Sequence, residues 1–337
     1  MSRFGSGEAK ANILETVRGV DLYLMVDVMN YAQTYSLFGQ VNHMSPDDHY
    51  SDLKRVIAAT TGKAKRINVI MPFMYESRQH KRTGRESLDC AMMLQELHAM
   101  GVENFITFDA HDPRVMNAIP QDSFDNISCS YQFIKAILAH VEDLDIDKNH
   151  MMIISPDEGG MSRAIYYANV LGIDMGMFYK RRDYSKVVNG RNPIVAHEFL
   201  GTDVEGKDVF IIDDMISSGE SLIDTAKELK ERKARRVFAC CTFGLFTSGF
   251  NKFDQAYANG TLNGVFTTNL IYQQPELLTK PWYVSVDMAK YIALIIDNLN
   301  HDMSISTILD SSQKINDKIA AYRTHREEMT QQMELPL

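Results

Sequence analysis

Apolar positions come in short runs set between amphipathic stretches, and the alternation predicts strands and helices in turn. The runs at 22–26, 67–71, 105–108, 151–154, 174–178, 209–212, 237–241, 264–267 and 283–286 have the length of strands, several dense enough to be buried on both faces. Helical spacing falls over 52–59, 87–100 (ended by Gly101), 131–141, 161–171, 222–229 and 287–299. Residues 30–50 are polar and aromatic and declare no element, and 184–201 lack clean periodicity. Residues 311–337 read as a polar helix that frays, with Ile315, Ile319 and Tyr322 spaced along one side. No repeat of fixed period is present. Strands alternating with helices in both halves predict an α/β protein of two tandem domains, each with a mostly parallel sheet flanked by helices. The acidic stretch 142–148 sets the expected boundary: 1–147, 148–310, then a tail over 311–337.

The chemistry concentrates where predicted strands end. After the run 209–212, Asp213 and Asp214 bring two carboxylates to a strand end, and Ser217-Ser218-Gly219-Glu220-Ser221 makes a small hydroxyl-rich turn into a helix. Strand, tight loop and helix N-terminus offer backbone N–H groups to a phosphate, and the carboxylates can accept hydrogen bonds from sugar hydroxyls. Together they describe a ribose 5-phosphate. The plainer reading is an acidic strand end with a serine-rich helix cap. After 67–71, Arg78, Lys81, Arg82 and Arg85 with His80 form a basic loop where α/β ligand sites form, an anion site or a solvated loop. After 105–108 comes Asp109-Ala110-His111-Asp112, placing a histidine between two acids. After 151–154 comes Ser155-Pro156-Asp157-Glu158-Gly159-Gly160, whose glycines permit a close turn and whose Asp157 is a candidate partner for a divalent cation. A cation-rich segment from Lys180 into 184–201 is a lid or a basic hairpin.

At 337 residues the chain has room for two domains, and 45% hydrophobic with 23% charged residues is the composition of a globular protein. The net charge of -9 argues against nucleic acid as a partner, and the basic residues gather at 78–85 and 180–191. Cys90, Cys129, Cys240 and Cys241 lack metal-ligand spacing and read as reduced core thiols. No apolar run is long enough to span a bilayer and no secretory signal is visible, so a cytoplasmic protein without a membrane partner is expected.

The loop after Asp213-Asp214 resembles the phosphoribosyl-binding loop of phosphoribosyltransferases and PRPP synthetases. Four stretches in register, Arg78-Gln79, Asp109-Ala110-His111, Ser155 to Gly160, and Asp213-Asp214 with its loop, resemble ribose-phosphate pyrophosphokinase (PRPP synthetase) over roughly residues 4–310. The resemblance implies two phosphoribosyltransferase-like domains in a homo-oligomer, dimer-based and commonly hexameric. It implies pyrophosphoryl transfer from Mg-ATP to the 1-hydroxyl of ribose 5-phosphate, giving PRPP and AMP, with Mg2+ as cofactor. By the same likeness Arg78, Gln79 and His111 contact ATP, and His111 and Asp157 hold magnesium and the triphosphate. Lys180 and Arg182 match the catalytic-loop pair that stabilises the transferring group. Asp213 and Asp214 bind ribose hydroxyls, and Ser217, Ser218, Gly219, Glu220 and Ser221 hold the 5-phosphate. Phe4 and Glu8 fall where the family supplies an adenine contact from a neighbouring subunit.

The departures are specific. His80 stands where the family has an acid, the phosphate loop carries Ser217 and Glu220 in place of the usual acid and small residue, and Phe243 replaces a histidine. The N-terminus lacks the family's first strand and helix, as a truncation or an incomplete first domain would. Two other readings follow: a pyrophosphokinase for a different ribose-phosphate acceptor, or a non-catalytic partner subunit. Retention of His111, Asp157, Lys180 and Arg182 argues against the second.

Overall fold

The structure is a computed structural model that describes residues 1–182 and 194–333 and, of 180–182, 194–197 and 327–333, the backbone alone. The chain forms two compact units: Met1–Cys129 with Asn269–Gln273 and Met288–Ile305, and the remainder from Ser130.

The first unit holds a parallel sheet in the order Asp21–Met25, Arg66–Ile70, Asn104–Phe108, Ser123–Ile127. Helix Pro46–Thr60 crosses between the first two strands. Ser45 and Asp48 close a capping box at its start, with Pro46 in the first turn, and Tyr50, Leu53 and Ile57 are buried. Polar residues ahead of position 52 hid this longer helix from periodicity alone. Asp89–Ala99 makes the next crossover and buries Met93, Leu94 and Leu97. Residues 30–50, silent in sequence, contain a hairpin of Thr34–Leu37 against Gln40–His43. A short ladder, Ser2–Arg3 with Ala9–Lys10, closes the N-terminal turn. The late segment 269–273 belongs here because half-buried Asp27 accepts the Tyr272 N–H at 2.6 Å and the Met29 N–H at 2.9 Å. Helix Ala289–Asn300 leads into Asp302, which pairs with Arg66.

The second unit is built on seven strands in the order Ile194–Leu200, Asp174–Arg182, Met151–Ser155, Asp208–Ile216, Arg236–Gly244, Gly264–Thr268, Tyr283–Val286. All neighbours are parallel except the first pair. Thus 194–200, expected as loop, is an edge strand, while 183–193 lie outside the described residues. Met152, Ile154, Val209, Ile211, Val237 and Ala239 share one core with Leu222, Ala226 and Leu229 of helix Glu220–Glu231. Helix Asn251–Ala258, which sequence periodicity did not signal, adds Phe253 and Ala256. At the opposite end of the central strand, Asp208 is fully buried, and Arg236 and Arg235 grip its carboxylate.

Helix Ser130–His140 buries Phe133, Ile134 and Ile137 in this second unit, so the units part at 129/130 and the acidic stretch 142–148 lies inside the second. The tail docks on that stretch. Within helix Ser312–Met333, Ile315 and Ile319 are buried. Tyr322 and Arg326 bond the Leu144 carbonyl, Arg323 bonds that of Ile146, and Arg326 also pairs with Asp145. All four cysteines are free and buried. Among the described residues no helix is long and apolar enough to cross a membrane.

Candidate active site

In the second unit, parallel pairing sets the geometry. Ile154 is in register with Ile211, so the loops leaving Ser155 and Ile212 emerge at one edge of the sheet. Ser155 Oγ donates to the Asp157 carbonyl at 2.7 Å, and Asp157 Oδ1 accepts the N–H groups of Gly159 (2.9 Å) and Gly160 (3.3 Å). This turn requires Gly160, because a Cβ there would come within 2.9 Å of Ser155 Oγ. The central strand runs on through both acids to Ile216. Asp213 Oδ1 accepts the Asp214 N–H at 2.8 Å. Burial, then the charges of Asp214 and Asp157, push the Asp213 carboxyl well above its usual range. Two acids held together in a partly desolvated edge suit a ligand that brings hydroxyl donors.

Beyond them, Ser217 lies at the strand end, where its carbonyl accepts the Thr247 N–H, and Gly219 takes φ +81° at the helix start. Gly219 at the N-cap has no side chain to cap helix Glu220–Glu231, and the Ser218 hydroxyl accepts the Glu220 N–H at 3.4 Å. The positive end of this helix and the hydroxyl-bearing residues Ser217, Ser218 and Ser221 thus belong to one short turn. Glu220 is exposed and ion-paired with Lys252. Strand Asp174–Arg182 passes the level of Ser155 at Met177, and its backbone carries Lys180 and Arg182 onward opposite His197 and Ile194.

In the first unit, the loops after Ile70 and Phe108 likewise leave one sheet edge. Arg78, Lys81, Arg82 and Arg85 are exposed. Gln79 Nε2 closes the loop on the Ser87 carbonyl at 3.0 Å. The loop of exposed His111 is fixed from behind: Asp109 has φ +38°, its carboxylate accepts the Cys129 N–H at 3.2 Å, and Asn126 accepts the Ala110 N–H at 2.9 Å. His80 lies edge-on to His111, ring centroids 5.2 Å apart, with its Nε2 3.5 Å from Asp112. Hydrogen bonds from Arg114 hold Asp112 down at about 2, whereas burial and then His111 lower His80. Sequence reasoning named Asp112 but missed Arg114, since the pairing depends on the three-ten turn Pro113–Ala118. Phe4 and Glu8 sit on the N-terminal turn, closed by Phe4 N–H to the Glu8 carbonyl at 2.8 Å.

Two family models match the chain. The N-terminal domain of ribose phosphate pyrophosphokinase covers residues 1–101, and the phosphoribosyl transferase domain covers 120–274. The chain is similar to ribose-phosphate pyrophosphokinases of Vibrio parahaemolyticus (29% identity over 92% of this chain and 90% of the relative) and Vibrio cholerae (28%, 92% and 90%). Its fold matches the crystal structure of phosphoribosylpyrophosphate synthetase from Mycobacterium smegmatis at a TM-score of 0.73, with 22% identity and 89% of each chain covered. The chain belongs to the ribose-phosphate pyrophosphokinase family.

A ribose-phosphate pyrophosphokinase is a transferase that makes PRPP for nucleotide biosynthesis, and both predicted phosphoribosyltransferase-like domains are matched. Of the predicted site residues, Asp157, Asp213, Asp214 and the 217–221 loop converge in the second unit, and Arg78, Gln79 and His111 rise from neighbouring strand ends in the first. Of the predicted lid over 184–201, residues 184–193 lie outside the described residues, as do the side chains of Lys180 and Arg182, and 194–200 is the edge strand. Phe243 is buried in its strand. For magnesium, no group of three or more His, Cys, Asp or Glu side chains converges among the described residues. A single carboxylate such as Asp157 is the kind of donor that suits Mg2+, which takes oxygen ligands, keeps several waters and binds through substrate phosphates.

Proposed function

We propose that this enzyme transfers the pyrophosphoryl group of Mg-ATP to the 1-hydroxyl of ribose 5-phosphate, releasing AMP. The 1-hydroxyl oxygen bonds to the β-phosphorus, the bond from that phosphorus to the α,β-bridging oxygen breaks, and the hydroxyl proton leaves to solvent. Asp213 and Asp214 orient the ribose through its hydroxyls, and the N–H and hydroxyl groups of 217–221 hold the 5-phosphate. Arg78, Gln79 and His111 position ATP, with Phe4 and Glu8 of a neighbouring subunit on the adenine. Lys180 and Arg182 stabilise charge on the transferring group. Mg2+, held with the triphosphate by His111 and Asp157, would neutralise phosphate charge. Such transfer asks the protein for positioning and cations more than for covalent chemistry. A homo-oligomer built on dimers, in the cytoplasm and without nucleic acid, completes this reading.

The observation that carries it is the pairing of two strand-end carboxylates with a glycine-started helix N-terminus. The rival reading, a different acceptor, rests on the altered loop, with Ser217 in place of an acid and Glu220 in place of a small residue. The Lys252 partner offsets the Glu220 charge and favours ribose 5-phosphate. The test measures AMP and PRPP from Mg-ATP with and without ribose 5-phosphate. Equal formation of both is expected. AMP formed only with another ribose phosphate would move the assignment to that acceptor, and silence across a panel would leave a non-catalytic subunit.

A further inference from the structure

The hairpin of the first unit turns in two residues, Phe38 and Gly39, between partners Leu37 and Gln40. Both have positive φ, +48° and +79°. A two-residue hairpin with positive φ at both loop positions is the type I′ turn, which favours Asn, Asp or Gly at its first position. A phenylalanine there is strained, because its Cβ crowds the backbone in the left-handed region. Burial does not compensate, since Phe38 is 82% exposed. A strained, solvent-facing aromatic that contributes nothing to the core points to function.

This tip is tied to the N-terminal turn. Phe38 N–H donates to the Gly5 carbonyl at 2.8 Å. Gly7 lies against Leu37, so that a Cβ at Gly7 would meet Leu37 Cδ1 at 2.6 Å. Arg3 sits over the Tyr35 ring at 4.4 Å and pairs with Asp52 at 2.8 Å. Phe4 on the same turn is 55% exposed. Around Gly5 and Gly39 a Cβ would meet no described atom within 4 Å, so the space there is open. The result is one hydrogen-bonded unit carrying two exposed phenyl rings, with the Glu8 carboxylate on the same turn accepting from Ser6 Oγ at 2.8 Å.

We propose that Phe38 is a second nucleobase contact, a stacking surface for the purine of the donor nucleotide that works with Phe4. The inference rests on the reading of Phe4 and Glu8 as an adenine contact and extends it to a residue outside the matched motifs. Aromatic faces bind planar bases without reading them. Glu8 supplies the discrimination, since a carboxylate accepts from the 6-amino group of adenine and is repelled by the carbonyl of guanine.

The variant Phe38→Asn tests this without threatening the fold, because Asn-Gly is the favoured type I′ pair. Calorimetry with Mg-ATP, and with Mg-tripolyphosphate as a base-free probe, is expected to show ATP affinity reduced about 5- to 150-fold. Tripolyphosphate binding, sedimentation coefficient and melting temperature should hold or, for the last, rise. Unchanged ATP affinity overturns the proposal, as does a changed sedimentation coefficient, which would make Phe38 a contact between subunits. Phe4→Ala separates the two layers. Loss of ATP affinity there with none in Phe38→Asn sinks only Phe38, whereas no loss in either variant sinks the adenine reading of the whole turn.

Discussion

The Phe253 ring fills the space that a side chain at position 219 would need: a Cβ on Gly219 would lie 2.4 Å from Phe253 Cζ. The helix that follows the candidate phosphate loop is thus held down at its N-cap by the fully buried Phe253 ring of helix Asn251–Ala258. Glycine is required twice over, by this contact and by φ +81°.

Gly219→Ala is therefore expected to cost about 1–2 kcal/mol for the left-handed backbone and about 1–3 kcal/mol for overpacking. It should also raise KM for ribose 5-phosphate. In a Phe253→Ala background the steric part should vanish, leaving only the backbone cost. Denaturant melts of the four proteins measure this. An equal cost in both backgrounds would mean that the ring does not constrain the loop.

Lys180→Ala should abolish turnover while leaving ATP binding nearly intact. The proposed role, taken from the resemblance to the family's catalytic-loop pair, is to stabilise charge developing during transfer and not to bind the ground-state nucleotide. Single-turnover rates beside equilibrium ATP titrations separate the two. Persistent turnover would show the assignment to be wrong.

Asp208 gives a pH dependence remote from the ligand loops. Desolvation raises its pKa, but Arg236 and Arg235 outweigh that and hold the carboxyl below its usual range. The folded value lies below the unfolded one, so the stabilisation is present above pH about 4 and is lost as pH falls through the folded value. Both guanidiniums keep partial contact with water, which discounts the pairing. Asp208→Asn should cost about 1–3 kcal/mol at pH 7. The gap from wild type should narrow steadily below pH 4. A gap that stays constant from pH 7 to pH 3 would refute the assignment.

Much of this was legible in the sequence because buried parallel strands write themselves as apolar runs, and the ligand groups follow those runs directly. Asp157, Asp213 and His111 are candidates by strand-end position alone, and the structure places each near or just beyond such an end. The hairpin at 34–43 left no trace because its outward residues, Phe38 and Val41 among them, break the polar-out alternation. Helix Asn251–Ala258 was missed since eight residues with two buried side chains give too few repeats for a period. The late segments of the first unit were invisible for another reason: Asp27 and Tyr272 are joined by a hydrogen bond that spans most of the chain, and no local pattern encodes it.

Glu220 is the loop residue whose charge most opposes a phosphate, and Lys252 is its counter-ion. Both side chains are substantially solvated, so the pair itself is worth about 0–1 kcal/mol. Its effect on ligand binding is expected to exceed its effect on stability. Lys252→Ala leaves Glu220 uncompensated next to the 5-phosphate and should raise KM for ribose 5-phosphate a few-fold, more at low salt than at high salt. Glu220→Gln should leave KM unchanged or lower it. The double variant should return close to wild type, because removing the acid removes the need for its partner. Steady-state KM for ribose 5-phosphate across the four proteins at two ionic strengths decides it. If Glu220→Gln raises KM as much as Lys252→Ala does, then Glu220 is a ligand contact and not a charge that the enzyme must offset.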